Sequence, residues 1–305
     1  MRYFIVLIVI VLLSGFLVWF GIYMPQNPGS SETMVFLVKK GEGAKEISIN
    51  LKNQELIRYS SFFRFYALFY DKADKLKAGE YELSPSMNIP EIVNKIAEGD
   101  RIKKMITIIE GWTVKDIEEL LRDRGGTVPL ELEGYLFPDT YEIFPEERIE
   151  EIVAKMRANF EKKLTPELRE EIISQGKTIP EIIIMASLLE KEVQTLEDKK
   201  IVSGILWKRL ENNMFLQVDA TIIYLTGRKT TEILKEELKI DSLYNTYKYK
   251  GLPPGPICNP GLKSIEAAIY PQESSYLYYL SAPEGETIFS QTLKEHNIAR
   301  EKYLK

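Results

Sequence analysis

Residues 179–193 read IPEIIIMASLLEKEV, and this stretch decides how the larger part of the chain folds. Its proline suits the first turn of a helix, and the residues that follow, up to Leu189, are almost wholly apolar. A helix that is apolar on every side is buried. We therefore expect a core helix over this stretch, with its last residues reaching the protein surface.

Two glutamates, Glu190 and Glu192, follow the apolar run. A carboxyl group partly withdrawn from water keeps a proton available near neutral pH, as a general acid requires. The two side chains point about 200° apart, so helical geometry alone does not choose between them. Small residues, Ala186 and Ser187, lie one turn before Glu190 and favour it slightly, because they leave room for a substrate. Glu190 could equally mark where the helix meets water.

The amino-terminal stretch predicts a membrane anchor. Residues 3–23 contain no charged side chain and would form a helix roughly 30 Å long, enough to cross a hydrocarbon core. Arg2 precedes the stretch, so we expect a protein of the cell (inner) membrane with its amino terminus in the cytoplasm. The bulk of the chain would lie on the periplasmic or extracytoplasmic side. Residues 1–24 would be a single-pass anchor and 25–33 a linker. A cleaved signal peptide is the alternative, and it too would export the rest.

Composition excludes several classes of function. Forty Lys and Arg residues against 45 Asp and Glu give a net charge of −5, which argues against a nucleic-acid partner. One cysteine, Cys258, and one histidine, His296, cannot form a Cys/His zinc site or an internal disulfide. No Gly-rich nucleotide motif is present. We expect no metal and no cofactor.

The exported part reads as α+β, with a small α+β module at 34–103 and a larger α+β domain at 104–305. Strands are predicted at 34–38 and 79–83, and helices from Ala44 and from Ser60. The helix from Ser60 is rich in aromatic residues, and its spacing predicts that they face the core rather than form a sugar-binding platform. These aromatic residues are Phe62, Phe63, Phe65, Tyr66 and Phe69.

Six segments of the chain occur in an order typical of one family. They are EGYLFPDTY (133–141), ASLLEKE (186–192), LQVDAT (216–221), YNTY (244–247), GLPPGPICNPG (251–261) and EHN (295–297). Together they resemble the MltG (YceG-like) endolytic murein transglycosylases, over residues 35–303. The resemblance implies a membrane anchor, a LysM-like module at 34–103 and a YceG-like catalytic domain at 104–305. Two positions depart from the pattern: Cys258 stands where a small residue is expected, and Thr287 where the family often has a histidine.

The resemblance also implies an activity. The enzyme would be a lyase, a lytic transglycosylase that cuts the MurNAc–GlcNAc bond of nascent peptidoglycan strands, leaves 1,6-anhydro-MurNAc ends and stops strand elongation. Glu190 would be the catalytic residue, first as acid and then as base. Candidate substrate-binding residues, from motif position, are Asp139, Gln217, Asp219, Tyr244, Asn245 and Asn259. Penicillin-binding proteins or other wall-synthesis proteins would be its partners.

Two other functions stay open on the sequence. The first is a hydrolase that uses water and a second carboxylate, for which Asp139, Asp219 and Glu192 are candidates. The second is a membrane-anchored, non-catalytic glycan-binding or scaffold protein of the wall-synthesis machinery.

Overall fold

Helices dominate the part of the chain that the computed structural model describes, residues 2–228, 233–282 and 285–304. The α-helices are α1 (Arg2–Tyr23), α2 (Ala44–Asn53), α3 (Ser60–Phe69), α4 (Ile89–Glu98), α5 (Val114–Leu121), α6 (Ile149–Lys163), α7 (Pro166–Ser174), α8 (Ile179–Glu192), α9 (Leu196–Glu211), α10 (Asp219–Thr226), α11 (Leu262–Ile269) and α12 (Leu293–Tyr303). The strands are β1 (Met34–Val38), β2 (Gly79–Leu83), β3 (Lys104–Thr107), β4 (Thr140–Ile143), β5 (Tyr278–Ser281) and β6 (Thr287–Ser290). The strands pair as β1–β2, β3–β4 and β5–β6, which confirms the α+β class.

The chain divides into two compact units. The first comprises the residues up to Met105 together with Glu142–Glu147, and the second comprises Ile106–Tyr141 and the residues from Arg148 onward. Arg101 connects residues 142–147 to the rest of the first unit. Its Nη1 lies 2.8 Å from Glu146 Oε1, and its guanidinium lies 3.6 Å from the Phe144 ring centroid. The sequence-based domain borders stay predictions, and they differ from this division by leaving 142–147 with the second unit.

The first unit has its core between the two-stranded β1–β2 sheet and the helices α2, α3 and α4. β1 and β2 pair antiparallel with Phe36 opposite Tyr81, and both of these side chains are fully buried. Alternation along each strand turns this face inward, onto residues such as Ile47 of α2 and Phe63 of α3. The strand predictions at 34–38 and 79–83 are confirmed.

The aromatic residues of α3 do not all face that core, so part of their prediction is wrong. Phe63 and Tyr66 are buried, as expected. Phe65 and Phe69 are 51% and 70% exposed. Helical periodicity explains the split, because residues 63, 66 and 67 share one face while 65, 68 and 69 share another. Because α3 has apolar residues on both faces, its sequence does not show which face is buried.

In the second unit, α8 forms the centre of the core, as its sequence predicted. All residues from Ile182 to Leu189 are buried. Thr178 caps the helix, since its hydroxyl accepts from the Glu181 amide and its own amide donates to the Glu181 carboxylate. α9 and α11 pack on α8. Because the core surrounds the apolar turns, the functional groups of α8 are confined to its last turn.

Candidate active site

The last turn of α8 directs two carboxyl groups into different surroundings. Glu190 Oε1 lies 2.9 Å from Lys199 Nζ of α9. Its Oε2 accepts hydrogen bonds from the Gly261 amide at 2.8 Å and from Ser264 Oγ at 2.7 Å. The Glu190 and Lys199 side chains are 8% and 4% exposed. Glu190 thus connects α8 and α9 to the start of α11 and to the end of the segment 251–261. Both of its carboxylate oxygens already accept from protein donors.

Glu192 is half-buried and borders a cluster of polar groups. Its Oε2 accepts from the Tyr279 hydroxyl at 2.9 Å, and its Oε1 accepts from the Ala220 amide at 3.4 Å. Burial, and after it the nearby Asp219 carboxylate, raise the pKa of Glu192 to about 7. Both effects disfavour the anion. Glu192 can therefore exchange a proton at neutral pH, which is the property expected of a general acid.

Asp219 stands at the start of α10, beside Glu192. Val218 occupies the cap position, so Asp219 is the first helical residue. The Asp219 side chain is exposed, and it accepts a hydrogen bond from the Tyr247 hydroxyl. Burial and the Asp219 charge raise the pKa of Tyr247 above its ordinary value, so this hydroxyl keeps its proton. Two motifs far apart in sequence, LQVDAT and YNTY, therefore meet at this carboxylate.

Arg209 holds the elements around Glu192 together. Its Nε donates to the Leu277 carbonyl at 2.9 Å and its Nη1 to the Leu216 carbonyl at 2.6 Å. The bond to Leu277 holds the residue just before β5, the strand that contains Tyr279. The bond to Leu216 holds the segment just before Asp219. The guanidinium lies 5.2 Å from the Tyr278 ring centroid, and His296 stacks on the same ring at 5.4 Å. The EHN motif thus packs against β5 through His296.

Asp139 lies in a different set of contacts from the two glutamates. Its carboxylate accepts from Asn159 Nδ2 at 3.0 Å and lies 3.7 Å from Lys163 Nζ, both on α6. The hydrogen bond from Asn159, and then that from the Thr140 amide, lower the pKa of Asp139. Asp139 is an exposed anion that joins α6 to the start of β4.

The two candidate asparagines are fully buried and brace loops. Asn245 donates to the carbonyls of Leu238 and Ile240 at 3.0 and 2.9 Å. Asn259 Oδ1 accepts from the Leu136 amide at 2.9 Å, and its Nδ2 donates to the Trp112 carbonyl at 3.0 Å. These contacts satisfy their amide groups inside the protein, so both residues shape the loops that surround the site.

Two further candidates lie at the surface or near it. Gln217 is exposed and has a left-handed backbone, with φ of 53°, while its amide donates to the Thr246 carbonyl at 3.2 Å. This turn directs the chain into α10. Tyr244 is partly buried and packs against Tyr224, with ring centroids 5.3 Å apart. Their roles in substrate binding stay predictions.

A further buried carboxyl group, Glu133, lies outside α8. Its two oxygens accept from the Val114 amide at 3.1 and 3.2 Å, and Asn259 Nδ2 donates to it at 3.2 Å. Burial raises the pKa of Glu133 to about 7. The EGYLFPDTY and GLPPGPICNPG motifs meet through this pair, and Glu133 is 5% exposed.

Sequence reasoning did not single out Lys199, Ser264, Arg209, Tyr247 or Tyr279. Lys199 and Arg209 lie in an ordinary amphipathic helix, where a lysine or an arginine usually faces water. Tyr279 is one of several tyrosines in a short strand. No spacing rule links any of these residues to residues 190–192, because the contacts form only when α9, α11 and β5 pack on α8.

The described ranges, 2–228, 233–282 and 285–304, contain no group of three or more His, Cys, Asp or Glu side chains placed to hold a metal ion. Cys258 is fully buried, and burial raises the pKa of its thiol. Its Sγ contacts the Ser187 carbonyl at 3.4 Å, so the thiol fills space against α8.

Comparison with known proteins identifies the family of the chain. The sequence profile described as the YceG-like family matches residues 36–302. The chain belongs to the YceG-like family. The YceG-like match spans both compact units.

Relatives and a solved structure agree with this assignment. An endolytic murein transglycosylase of Bacillus subtilis (strain 168) is 31% identical, over 92% of this chain and 87% of that protein. A protein of the same name from Streptococcus pneumoniae serotype 2 (strain D39) is 29% identical, over 90% of this chain and 59% of that protein. The crystal structure of a putative YceG-like protein from Listeria monocytogenes is 31% identical, with a TM-score of 0.57, and covers 88% of this chain and 100% of that one.

Proposed function

We propose that this YceG-like protein is an endolytic murein transglycosylase. It would cut the MurNAc–GlcNAc bond of nascent glycan strands, form 1,6-anhydro-MurNAc ends and terminate elongation, as a lyase that uses no water. The names of the relatives support the reaction class. The observation that supports the chemistry is a half-buried carboxyl, Glu192, whose pKa is raised to about 7.

We assign the proton transfer to Glu192, whereas the sequence predicted Glu190. The Glu190 side chain is 8% exposed, faces Lys199 and accepts two further hydrogen bonds. A substrate oxygen would have to displace these contacts to reach it. Glu192 accepts from the Tyr279 hydroxyl and borders Asp219, which in turn accepts from the Tyr247 hydroxyl. The catalytic role of Glu190 stays a prediction, and substitution at each position decides between the two.

The reaction needs one carboxyl group in two protonation states. Protonated Glu192 donates its proton to the glycosidic oxygen as the bond from that oxygen to MurNAc C1 breaks, which leaves an oxocarbenium-like centre at C1. The Glu192 carboxylate then accepts the proton of the same sugar's C6 hydroxyl while O6 bonds to C1. The proton lost in the first step is recovered in the second, so the enzyme ends as it began.

The neighbours of Glu192 have distinct parts in this proposal. The Tyr279 hydroxyl fixes the direction of one carboxyl oxygen. The Asp219 charge favours the protonated acid before cleavage, and an exposed anion there also stabilises positive charge that develops at C1. Tyr247, held by Asp219, offers an aromatic surface beside the sugar.

The pairing of Glu192 with Asp219 also favours a second candidate, hydrolysis. Two neighbouring carboxyl groups are the usual equipment of a glycosidase, in which the second activates water or attacks C1. The two reactions differ in the strand end that they produce. An anhydro end identifies the transglycosylase, and a reducing end identifies the hydrolase.

Membrane attachment completes the proposal. α1 is 22 residues long and apolar enough to span a bilayer. Arg2 would keep the amino terminus in the cytoplasm, so the catalytic unit would work on the outer side, where new strands emerge. From the resemblance to the family, we also propose penicillin-binding proteins or other wall-synthesis proteins as partners.

The test uses the full-length protein in proteoliposomes with lipid-linked nascent glycan strands, and mass spectrometry of the products. The wild type and Glu197→Gln, an exposed glutamate at the start of α9, should both yield anhydro ends. Glu192→Gln should form anhydro ends about 10²–10⁴-fold more slowly while its fold is retained. Reducing ends would support the hydrolase, and no cleavage by the wild type would support the scaffold. Full activity in Glu192→Gln would overturn the residue assignment.

A further inference from the structure

The first unit carries an apolar surface on α3 that its own core leaves uncovered. Phe65, Leu68 and Phe69 are 51%, 69% and 70% exposed and share one side of the helix. Contiguous exposed apolar surface marks a site of contact with another apolar phase. We propose that this α3 apolar face (Phe65, Leu68 and Phe69) is inserted in the outer leaflet of the bilayer, beside α1. The inference rests on α1 crossing the membrane.

Depth along α1 supports lipid as the occupant. Val18 of α1 and Phe62 and Phe65 of α3 line one groove. Val18 precedes Tyr23, the last residue of the helix, by about 7.5 Å at 1.5 Å per residue. Because the uncharged stretch of about 30 Å is only just long enough to fill the hydrocarbon core, Val18 lies below the lipid surface. Phe65 lines the same groove as Val18, so the proposal places it near the same depth.

The contact between α1 and α3 is close enough to fix this depth. Gly21 and Ile22 are buried, although the rest of α1 is almost entirely exposed. A Cβ atom at position 21 would overlap the Phe62 ring, so the glycine permits the close approach. α3 is therefore held against the outer end of α1 by direct packing within one compact unit.

The residues at this contact are those that membranes place at the boundary with water. Trp19 and Tyr23 stack with ring centroids 6.0 Å apart. Arg58, just before α3, lies 5.8 Å from the Phe20 ring centroid and donates to the Gln26 carbonyl at 3.2 Å. Aromatic rings and a cation at the end of a span anchor it at the headgroup level. In this proposal the α3 apolar face lies on the lipid side of this boundary.

Lipid accounts for the surface better than a protein partner does. The face is continuous with the exposed, lipid-facing side of α1 through the groove at Val18. A protein partner would have to reach the same depth in the bilayer. An interfacial helix with aromatic residues on its inserted side is a common solution in membrane-attached proteins.

Spin labels provide the test. Single cysteines replace Phe65, Leu68 and Phe69 one at a time in the full-length Cys258→Ala chain, in nanodiscs of phosphatidylethanolamine and phosphatidylglycerol. Leu12, in the middle of α1, and Ile49, an exposed residue of α2, serve as reference positions. Collision with oxygen is compared with collision with a water-soluble nickel chelate. We expect the three α3 positions to favour oxygen several-fold more than Ile49 does.

Any of four results would overturn the inference. Nickel-favoured labels on α3 together with an oxygen-favoured Leu12 would place α3 in water. A nickel-favoured Leu12 would remove the premise that α1 spans the bilayer, independently of the catalytic proposal. Dipolar broadening between labels would assign the face to a second copy of the chain. As a check without the Cys258 replacement, the added emission of Phe69→Trp should be quenched by lipids with brominated acyl chains, and unquenched emission would contradict insertion.

Discussion

Lys199 Nζ lies 2.9 Å from Glu190 Oε1, and both side chains are almost closed to solvent. Two residues along the same helix, Glu192 is half-buried, and its pKa is raised to about 7. One carboxylate thus accepts from a buried cation and two neutral donors, whereas burial and the Asp219 charge raise the pKa of the other. Substitutions at the two positions should have different kinds of effect.

Glu190→Gln should primarily lower stability. Removing one partner of a buried ion pair leaves the other charge uncompensated, at a cost of about 3–5 kcal/mol in the free energy of unfolding. Lys199→Met added to Glu190→Gln should restore much of that loss, which urea unfolding of the variants would measure. If Glu190 is structural, the double variant also recovers cleavage. A stable double variant without cleavage would instead favour Glu190 as the catalytic residue.

Glu192→Gln should lower the cleavage rate by about 10²–10⁴-fold, the usual contribution of a general acid. Its stability should change with pH differently from that of the wild type. The Glu192 pKa is raised on folding, so the wild type loses stability as pH rises from about 4.5 through about 7. Melting temperatures at pH 5 and pH 8 should differ less in Glu192→Gln. A wider difference would contradict the raised pKa.

The Asp219 charge should set the alkaline limb of the pH–rate profile. Because the reacting acid must be protonated, kcat/KM should fall as pH rises through about 7. Asp219→Asn removes a charge that raises the Glu192 pKa, so the limb should move to lower pH. Asp139→Asn is the matched control, since Asp139 binds α6, and it should leave the limb in place. An unmoved limb in Asp219→Asn would exclude coupling between Asp219 and the reacting acid.

Tyr279→Phe should move the same limb in the opposite direction. The Tyr279 hydroxyl donates to Glu192 and lowers its pKa, against the larger effects of burial and Asp219. Loss of this bond should raise the apparent pKa and reduce kcat by about 3–10-fold, the value of one hydrogen bond. Tyr276→Phe, in the segment before the same strand, is a suitable control. A shift to lower pH would contradict the hydrogen-bond geometry.

Asn259→Ala should destabilise the fold by about 1–3 kcal/mol, because it leaves the buried Leu136 amide and Trp112 carbonyl without their side-chain partner. Asn212→Ala, which removes an exposed bond to the Lys208 carbonyl, should have little effect. Chemical denaturation of both variants is the measurement. If Asn259 acted only on substrate, KM would rise without a change in the unfolding free energy.

The sequence predicts those features that depend on local pattern. The apolar run before Glu190 predicts the buried helix α8, and the pattern of residues 34–38 and 79–83 predicts the strands β1 and β2. Its local pattern favours Glu190 over Glu192 only slightly and does not show the contacts of Glu190, because Lys199, Gly261 and Ser264 reach Glu190 only through tertiary packing. Helix α3 shows a second limit. An apolar face turned toward lipid has the same residue pattern as one turned toward the core.

The Glu190–Lys191–Glu192 triplet has a consequence for how sequences of this kind can change. A one-residue insertion or deletion in the last turn of α8 would rotate the residues after it by about 100° and detach at least one carboxyl from its partners. We therefore expect such an insertion or deletion to abolish activity. Variation in activity should come through substitutions in the segments that face it, such as 216–219 and 244–247, with the length of α8 held constant.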